Sequence, residues 1–122
     1  MAQKMSLGDT DQGLATAALA ANVAVKWHTV AGSIVVCGVG DIPIGITQEA
    51  IPIGKTGTFW RWGRGNRFYC VATGVAAGDL VKQGAAGIFV PEATVTTVTA
   101  VTIGQARTAT DSAGNAEITG TR

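Results

Sequence analysis

Apolar and polar residues alternate in short runs along most of the chain, and glycine separates many runs from the next. Alternation with a period of two residues is typical of β-strands that bury one face. The clearest unit is a predicted hairpin, with strands over residues 80–82 and 88–90 joined by a turn at 84–87. About eight to ten such strands, at intervals of roughly 8–12 residues, predict an all-β fold, either a small glycine-rich barrel or a sandwich.

Residues 1–22 differ in composition from the rest of the chain. Their first half is polar, and the alanine-rich segment 14–21 is a candidate helix that is too short to be stable alone in water. We therefore predict an N-terminal arm over residues 1–22, either a docked helical turn or an extended segment, and a β-domain over residues 23–122. Where the alternation begins, Val23, Val25 and Trp27 share one face, which predicts that Trp27 lies in the core.

Composition favours a protein that assembles with other subunits. The chain has 122 residues, enough for one domain, and only 14% are charged against a typical value of about 25%. Apolar residues make up 47% and aromatic residues 6%, so small side chains dominate the apolar content. A monomer of this composition would expose much apolar surface, and contact with further copies or another protein would bury it.

Charge and cysteine content limit the classes of partner and cofactor. The formal net charge of +1 predicts no direct binding of nucleic acid. The longest apolar run, residues 14–25, contains Asn22 and is too short to span a bilayer, so we expect no membrane partner and a protein made and kept in the cytoplasm. Cys37 and Cys70 are predicted to be buried free thiols, and with one histidine, His28, they cannot complete a zinc site. We predict no metal and no cofactor.

One segment combines aromatic and basic residues. Between residues 55 and 70 every charged residue is basic (Lys55, Arg61, Arg64 and Arg67), so the rest of the chain carries −3. Five of the seven aromatic residues lie there too: Phe59, Trp60, Trp62, Phe68 and Tyr69. The sequence predicts a hairpin, with strands 56–62 and 67–73 around the loop 63–66. Trp60 and Trp62 share one of its faces, and Phe59 and Arg61 the other.

This predicted hairpin suits two kinds of contact. Aromatic stacking together with arginine fits single-stranded nucleic acid or sugar. Arginine and tryptophan also dominate protein interfaces. Because the rest of the chain adds no basic surface, we favour a protein interface formed by Trp60, Arg61, Trp62, Arg64 and Arg67. The alternative is that the two tryptophans pack in the core of the domain and the arginines are solvated.

Catalytic activity is not predicted. The eight carboxylates are scattered, and no two are placed as an acid–base pair. The sequence has no nucleophile elbow and no phosphate-binding loop. We therefore assign no catalytic residues, and the inventory argues against a small hydrolase.

The order of the motifs resembles a known family. The motifs are Ala31-Gly-Ser-Ile-Val-Val-Cys-Gly38, Ile44-Gly-Ile-Thr47, Ala50-Ile-Pro-Ile-Gly54, Val75-Ala-Ala-Gly-Asp-Leu-Val81 and Ile103-Gly-Gln-Ala-Arg107. In this order they resemble the small capsid decoration, or cement, proteins of tailed bacteriophages, over roughly residues 30–122. The resemblance implies a β-domain that forms homotrimers on the outer capsid surface, bridges major capsid protein subunits and stabilises the shell. It also implies a virion location and no catalytic residues.

A second hypothesis comes from another functional class. A carbohydrate-binding β-module would use Trp60, Trp62 and Tyr69 as a stacking platform. Binding of glycans would distinguish it from a decoration protein.

Overall fold

The fold consists of ten strands and one short 3-10 turn within residues 10–92 and 102–122, which the computed structural model describes. The strands are β1 (Thr10–Ala15), β2 (Ala24–Trp27), β3 (Ser33–Val36), β4 (Gly45–Thr47), β5 (Thr56–Arg61), β6 (Arg67–Val71), β7 (Leu80–Gln83), β8 (Phe89–Pro91), β9 (Gly104–Ala106) and β10 (Asn115–Gly120). The 3-10 turn spans Ala85–Gly87. The all-β prediction is confirmed.

The first five strands close into a barrel in the order β1-β3-β2-β4-β5. β1 pairs parallel with β3 and antiparallel with β5, and it thereby joins the two ends of the sheet. The other neighbours, β2 with β3 and with β4, and β4 with β5, are antiparallel. Closure satisfies the backbone groups that an open edge would leave unpaired.

The last five strands form an antiparallel sheet in the order β6-β10-β9-β7-β8. A parallel bridge between Ala72 and Phe89 brings its two ends together, and the Thr73 N–H donates to the Phe89 carbonyl at 2.9 Å. The predicted hairpin of residues 80–90 is confirmed, since β7 and β8 pair antiparallel across the 3-10 turn. Ala86 in that turn has a φ of 57°, which an alanine rarely adopts.

Two hydrophobic clusters form the core. One fills the barrel, and the other lies between the barrel and the second sheet. Neighbouring residues of one strand enter different clusters: Val25 and Phe59 face the barrel interior, whereas Ala24 and Trp60 face the second sheet. Alternate residues of these strands therefore pack into the barrel interior and into the cluster between the barrel and the second sheet.

The prediction of an N-terminal arm is wrong for residues 10–22. Residues 10–15 are β1, paired with β5 from Thr10 to Leu14, and no helix forms over residues 14–21. Leu19 is buried and bridges Ile51. Barrel closure overrides the helix propensity of the alanines, because β1 supplies backbone partners to both of its neighbours. Residues 1–9 of the predicted arm lie outside the described residues.

The prediction that Trp27 lies in the core is also wrong. Trp27 is 46% exposed, although Val23 and Val25 of the same face are buried. It is the last residue of β2, so its ring lies at the end of the barrel. There it meets Phe59 edge to face, with the ring centroids 5.9 Å apart.

Candidate functional site

The segment predicted as a basic aromatic hairpin connects the two sheets instead. β5 pairs with β1 and β4 in the barrel, and β6 pairs with β10 in the second sheet. The backbone of residues 62–66 crosses between them and is held at both ends. The Trp62 N–H donates to the Ile44 carbonyl at 2.8 Å, and the Gly65 N–H donates to the Gly120 carbonyl at 2.8 Å. Gly65 has a φ of 84°, so its missing side chain suits the turn.

The two tryptophans of the predicted interface pack inward. Trp60 and Trp62 are partly buried against the cluster between barrel and sheet, and Phe59 lies inside the barrel. The Trp62 ring stacks on Phe68 at a centroid distance of 4.6 Å and on Phe89 at 5.5 Å. The shared face predicted for the two tryptophans is therefore directed at the second sheet.

The three arginines of the predicted interface are exposed. Arg67 lies 3.6 Å from Glu117, measured from Nη1 to Oε1, and Arg107 contacts the same oxygen at 3.4 Å. Within residues 10–92 and 102–122, Arg61 and Arg64 have no ion-pair partner. These two guanidinium groups are therefore available for carboxylates of another molecule.

A cleft of about 290 Å³ opens beside Trp60, where the barrel meets the edge of the second sheet. Its lining residues come from β4, β5, β6 and the segments beside β2 and β4: Asn22, Ile46, Thr47, Gln48, Trp60, Phe68 and Tyr69. Two members of the predicted carbohydrate platform, Trp60 and Tyr69, thus share this cleft. Trp62 lines a different cavity of about 250 Å³ at the end of the barrel, together with Asp11, Trp27, Ile44, Phe59 and Arg61.

Hydrogen bonds hold several cleft residues in place. Thr47 Oγ1 donates to the Ala20 carbonyl at 2.7 Å and accepts from the Val23 N–H at 3.1 Å. Asn22 has a φ of 63°, and its backbone is fixed by bonds to Thr47 and Val71. Asparagine tolerates this left-handed conformation better than most residues.

Tyr69 is fixed by an acidic residue. Its hydroxyl donates to Asp111 Oδ2 at 2.5 Å, and this bond raises the pKa of Tyr69. The same bond lowers the pKa of Asp111, whose other oxygen accepts the N–H groups of Ala113 and Asn115. Both shifts follow from one hydrogen bond that favours the phenol and the carboxylate. The ring of Tyr69, which is 39% exposed, is therefore held at the cleft in its neutral form.

Cys37 and Cys70 are free thiols, as predicted, and both are buried. Burial raises the pKa of the Cys37 thiol to about 12 and raises that of Cys70 as well. Desolvation disfavours the thiolate, the reactive form of cysteine.

Among the described residues, no group of three histidine, cysteine or acidic side chains could hold a metal ion. In the same part of the chain, no helix is long and apolar enough to cross a bilayer.

The sequence indicated the aromatic residues of the cleft but not its polar ones. Asn22, Thr47 and Gln48 belong to no candidate site predicted from the sequence. Their convergence depends on the β4–β5 pairing that sets Ile46 opposite Trp60 and on the packing of β6 against the barrel. Asn22 offered a local signal, because asparagine between a small-residue run and a strand is suited to a left-handed turn.

No family model matches the chain, and the search of curated proteins gives no match. Among solved structures, the fold is similar to the N base of the head fiber protein gp8.5 of bacteriophage phi29. The TM-score is 0.75, the sequence identity is 14%, and the match covers 96% of this chain and 94% of that chain. The two chains therefore share a fold over nearly their whole length.

Proposed function

We propose that this chain is a structural protein of a bacteriophage head, a decoration protein that binds the outer capsid surface as a homotrimer and stabilises the shell. The observation that carries the proposal is the shared fold with a phage head fiber base over 96% of the chain. The order of glycine-rich motifs and the low charge content support the same class of protein. The partners would be further copies of the chain and the major capsid protein, and no catalytic step is involved.

The geometry favours the arginines over the tryptophans as the contact with the capsid. Trp62 stacks on Phe68 and on Phe89, so it contributes mainly to the fold. Arg61, Arg64 and Arg67 lie around the crossing between the sheets, and the first two lack an ion pair in the described residues. A capsid surface that carries carboxylates would pair with them, and charge pairs desolvated at an interface contribute strongly to affinity.

Co-sedimentation with phage heads tests the proposal. The heads are assembled from the major capsid protein encoded in the same genome. The native chain and the Arg64→Glu variant are then added to separate samples of these heads. The native chain is expected to bind to saturation in multiples of three copies and to raise the temperature at which the heads rupture. Arg64→Glu is expected to bind at least tenfold more weakly, since reversal replaces attraction by repulsion.

Lys55→Glu is the matched control, because it makes the same charge change just before β5, at the end of the strand that lies away from the crossing segment. It is expected to bind like the native chain. A native chain that stays monomeric in sedimentation velocity and does not bind heads contradicts the proposed function. Equal loss of binding in both variants contradicts the specific role of the arginines.

A further inference from the structure

We propose that the cleft between the barrel and the edge of β6 is a binding site for a neutral saccharide, with Trp60 and Tyr69 as the ring contacts and Asn22 and Gln48 as the polar contacts. Nothing in the proposed decoration function requires such a site, so the two proposals stand independently. Three features of the cleft support the proposal: its lining chemistry, the absence of charge among its described lining residues, and its size.

The polar lining includes two side-chain amides, of Asn22 and Gln48, that are accessible to a hydroxyl-rich ligand. Neither the Asn22 nor the Gln48 side-chain amide has a hydrogen-bond partner in the part of the chain that the structure describes. Each amide offers both donors and an acceptor. A sugar ring presents hydroxyl groups that donate and accept at adjacent positions, so it can bond to both functions of one amide.

The apolar lining is aromatic. Trp60 lies across from Ile46 on the outer face of the barrel, and Tyr69 stands at the edge strand of the second sheet. Aromatic rings offer a flat apolar surface next to a polar group, which matches the mixed faces of a pyranose. The bond from Tyr69 to Asp111 fixes the phenol ring in advance, so little rotamer entropy is lost on binding.

Charge and size select the class of ligand. None of the lining residues that the structure describes is acidic or basic, which favours a neutral ligand over a phosphate, a nucleic acid or an acidic sugar. The volume of about 290 Å³ is near the lower limit of ordinary ligand pockets, roughly 300 Å³, and suits one or two sugar rings. An added peptide strand fits less well, because Asn22 already accepts a bond from the Val71 N–H at the edge of β6.

The test is binding of neutral oligosaccharides to the full chain, followed by nuclear magnetic resonance. The probes are trimers of glucose and of N-acetylglucosamine, an array of further neutral glycans, and an extended hexapeptide of alternating valine and threonine. We expect at least one glycan to bind with a Kd of about 1 mM or tighter. The shifted resonances are expected to be the side-chain amides of Asn22 and Gln48 and the indole N–H of Trp60.

Variants locate the site without depending on the core. Gln48→Ala and Tyr69→Ala remove exposed side chains, and each is expected to weaken binding roughly threefold to tenfold. Tyr69→Phe keeps the ring and is expected to retain most of the affinity. Trp27→Ala is the matched control, since it removes an exposed tryptophan from the other cavity and is expected to leave binding unchanged.

Three results would overturn the inference. The first is that none of the glycans binds at about 1 mM. The second is that Trp27→Ala abolishes glycan binding while Gln48→Ala and Tyr69→Ala do not weaken it. The third is that the hexapeptide binds and no glycan does. Head binding is measured on the same variants. Gln48→Ala is expected to occupy heads normally, so failure of the saccharide site and failure of the decoration function are distinguishable.

Discussion

The rings of Trp62 and Phe68 stack at a centroid distance of 4.6 Å with an angle of 13° between their planes, across the point where the chain leaves the barrel and enters the second sheet. The contact joins Trp62, the first residue of the crossing segment 62–66, to the second residue of β6. It explains why the most aromatic segment of the sequence is not a free surface. Its two tryptophans pack against the cluster between the barrel and the second sheet.

Replacing Phe68 with alanine is expected to destabilise the fold by about 3–5 kcal/mol, the usual cost of truncating a buried phenylalanine. The loss includes the stack on Trp62 and the packing against the cluster between the sheets. Urea unfolding followed by circular dichroism measures it. Tyr69→Ala is the control at the neighbouring exposed position and is expected to cost about 1 kcal/mol. Equal losses in the two variants would contradict the assignment of Phe68 to the core.

The sequence predicted the fold class well because strand alternation and glycine turns are local signals. The β7–β8 hairpin has both signals within eleven residues, and it forms as predicted. The β5–β6 hairpin has the same local signals and does not form, because each strand finds a more distant partner: β5 pairs with β1, and β6 with β10. The residues of a turn indicate that the chain reverses direction there. They do not indicate whether the strands on either side of the turn pair in one sheet.

The candidate site was predictable only in part for the same reason. Trp60 and Tyr69 stood out as aromatic residues in a basic segment, and both line the cleft. Asn22 is nearly forty residues away along the chain and reaches the cleft only because β1 and β2 belong to the barrel. The predicted boundary between an arm and a β-domain after residue 22 therefore separated Asn22 from its neighbours in space.

Deletion of residues 1–22 is expected to unfold the barrel rather than to release a β-domain from an arm. The deletion removes β1, which pairs with both β3 and β5, and also the buried side chains of Ala15 and Leu19. Two strand edges and the barrel core would be exposed. We expect the truncated chain to lose its cooperative thermal transition in circular dichroism. A truncated chain that melts cooperatively near the native temperature would show that the barrel does not need β1.

Alanine at Gly120 is expected to be poorly tolerated. A Cβ at this position would lie 2.4 Å from the Gly63 carbonyl oxygen and 3.3 Å from the Trp62 ring. The first contact is with backbone, so relief requires movement of the crossing loop that Gly120 itself holds. We expect a loss of about 2 kcal/mol or more in the free energy of unfolding.

Gly38→Ala is the control for Gly120→Ala. Its added Cβ would meet only Asp41 Oδ2, at 3.5 Å, which is ordinary contact. It is expected to change stability by less than about 0.5 kcal/mol. If Gly120→Ala proves as stable as Gly38→Ala, the close approach of β10 to the crossing loop is not a constraint on the fold.

The ion pair between Lys26 and Asp41 is expected to make part of the stability depend on pH. Lys26 Nζ lies 2.7 Å from Asp41 Oδ2, which also accepts the Gly38 N–H at 2.7 Å. The bond to Lys26 lowers the pKa of Asp41, and the bond to Asp41 raises the pKa of Lys26. Since both side chains are partly exposed, we expect a coupling free energy of only about 0.2–1 kcal/mol near neutral pH.

Asp41 determines how the contribution of the ion pair to stability changes at acid pH. Its folded pKa lies below the unfolded value of about 3.9, so the unfolded chain binds the proton first as the pH falls. The contribution is therefore complete above about pH 5 and is lost as the pH falls through the folded pKa. The raised pKa of Lys26 gives the opposite limb, present below about pH 10 and lost as the pH rises through the folded value.

A double-mutant cycle of Lys26→Met and Asp41→Asn measures this coupling by urea unfolding at a series of pH values. We expect a positive coupling at pH values of about 6–8 that decreases as the pH falls through the folded pKa of Asp41. Added salt at about 1 M is expected to reduce the neutral-pH value, because the pair is open to solvent. A coupling of zero at neutral pH, or one that does not decrease as Asp41 becomes protonated, would show that the pair does not stabilise the loop between β3 and β4.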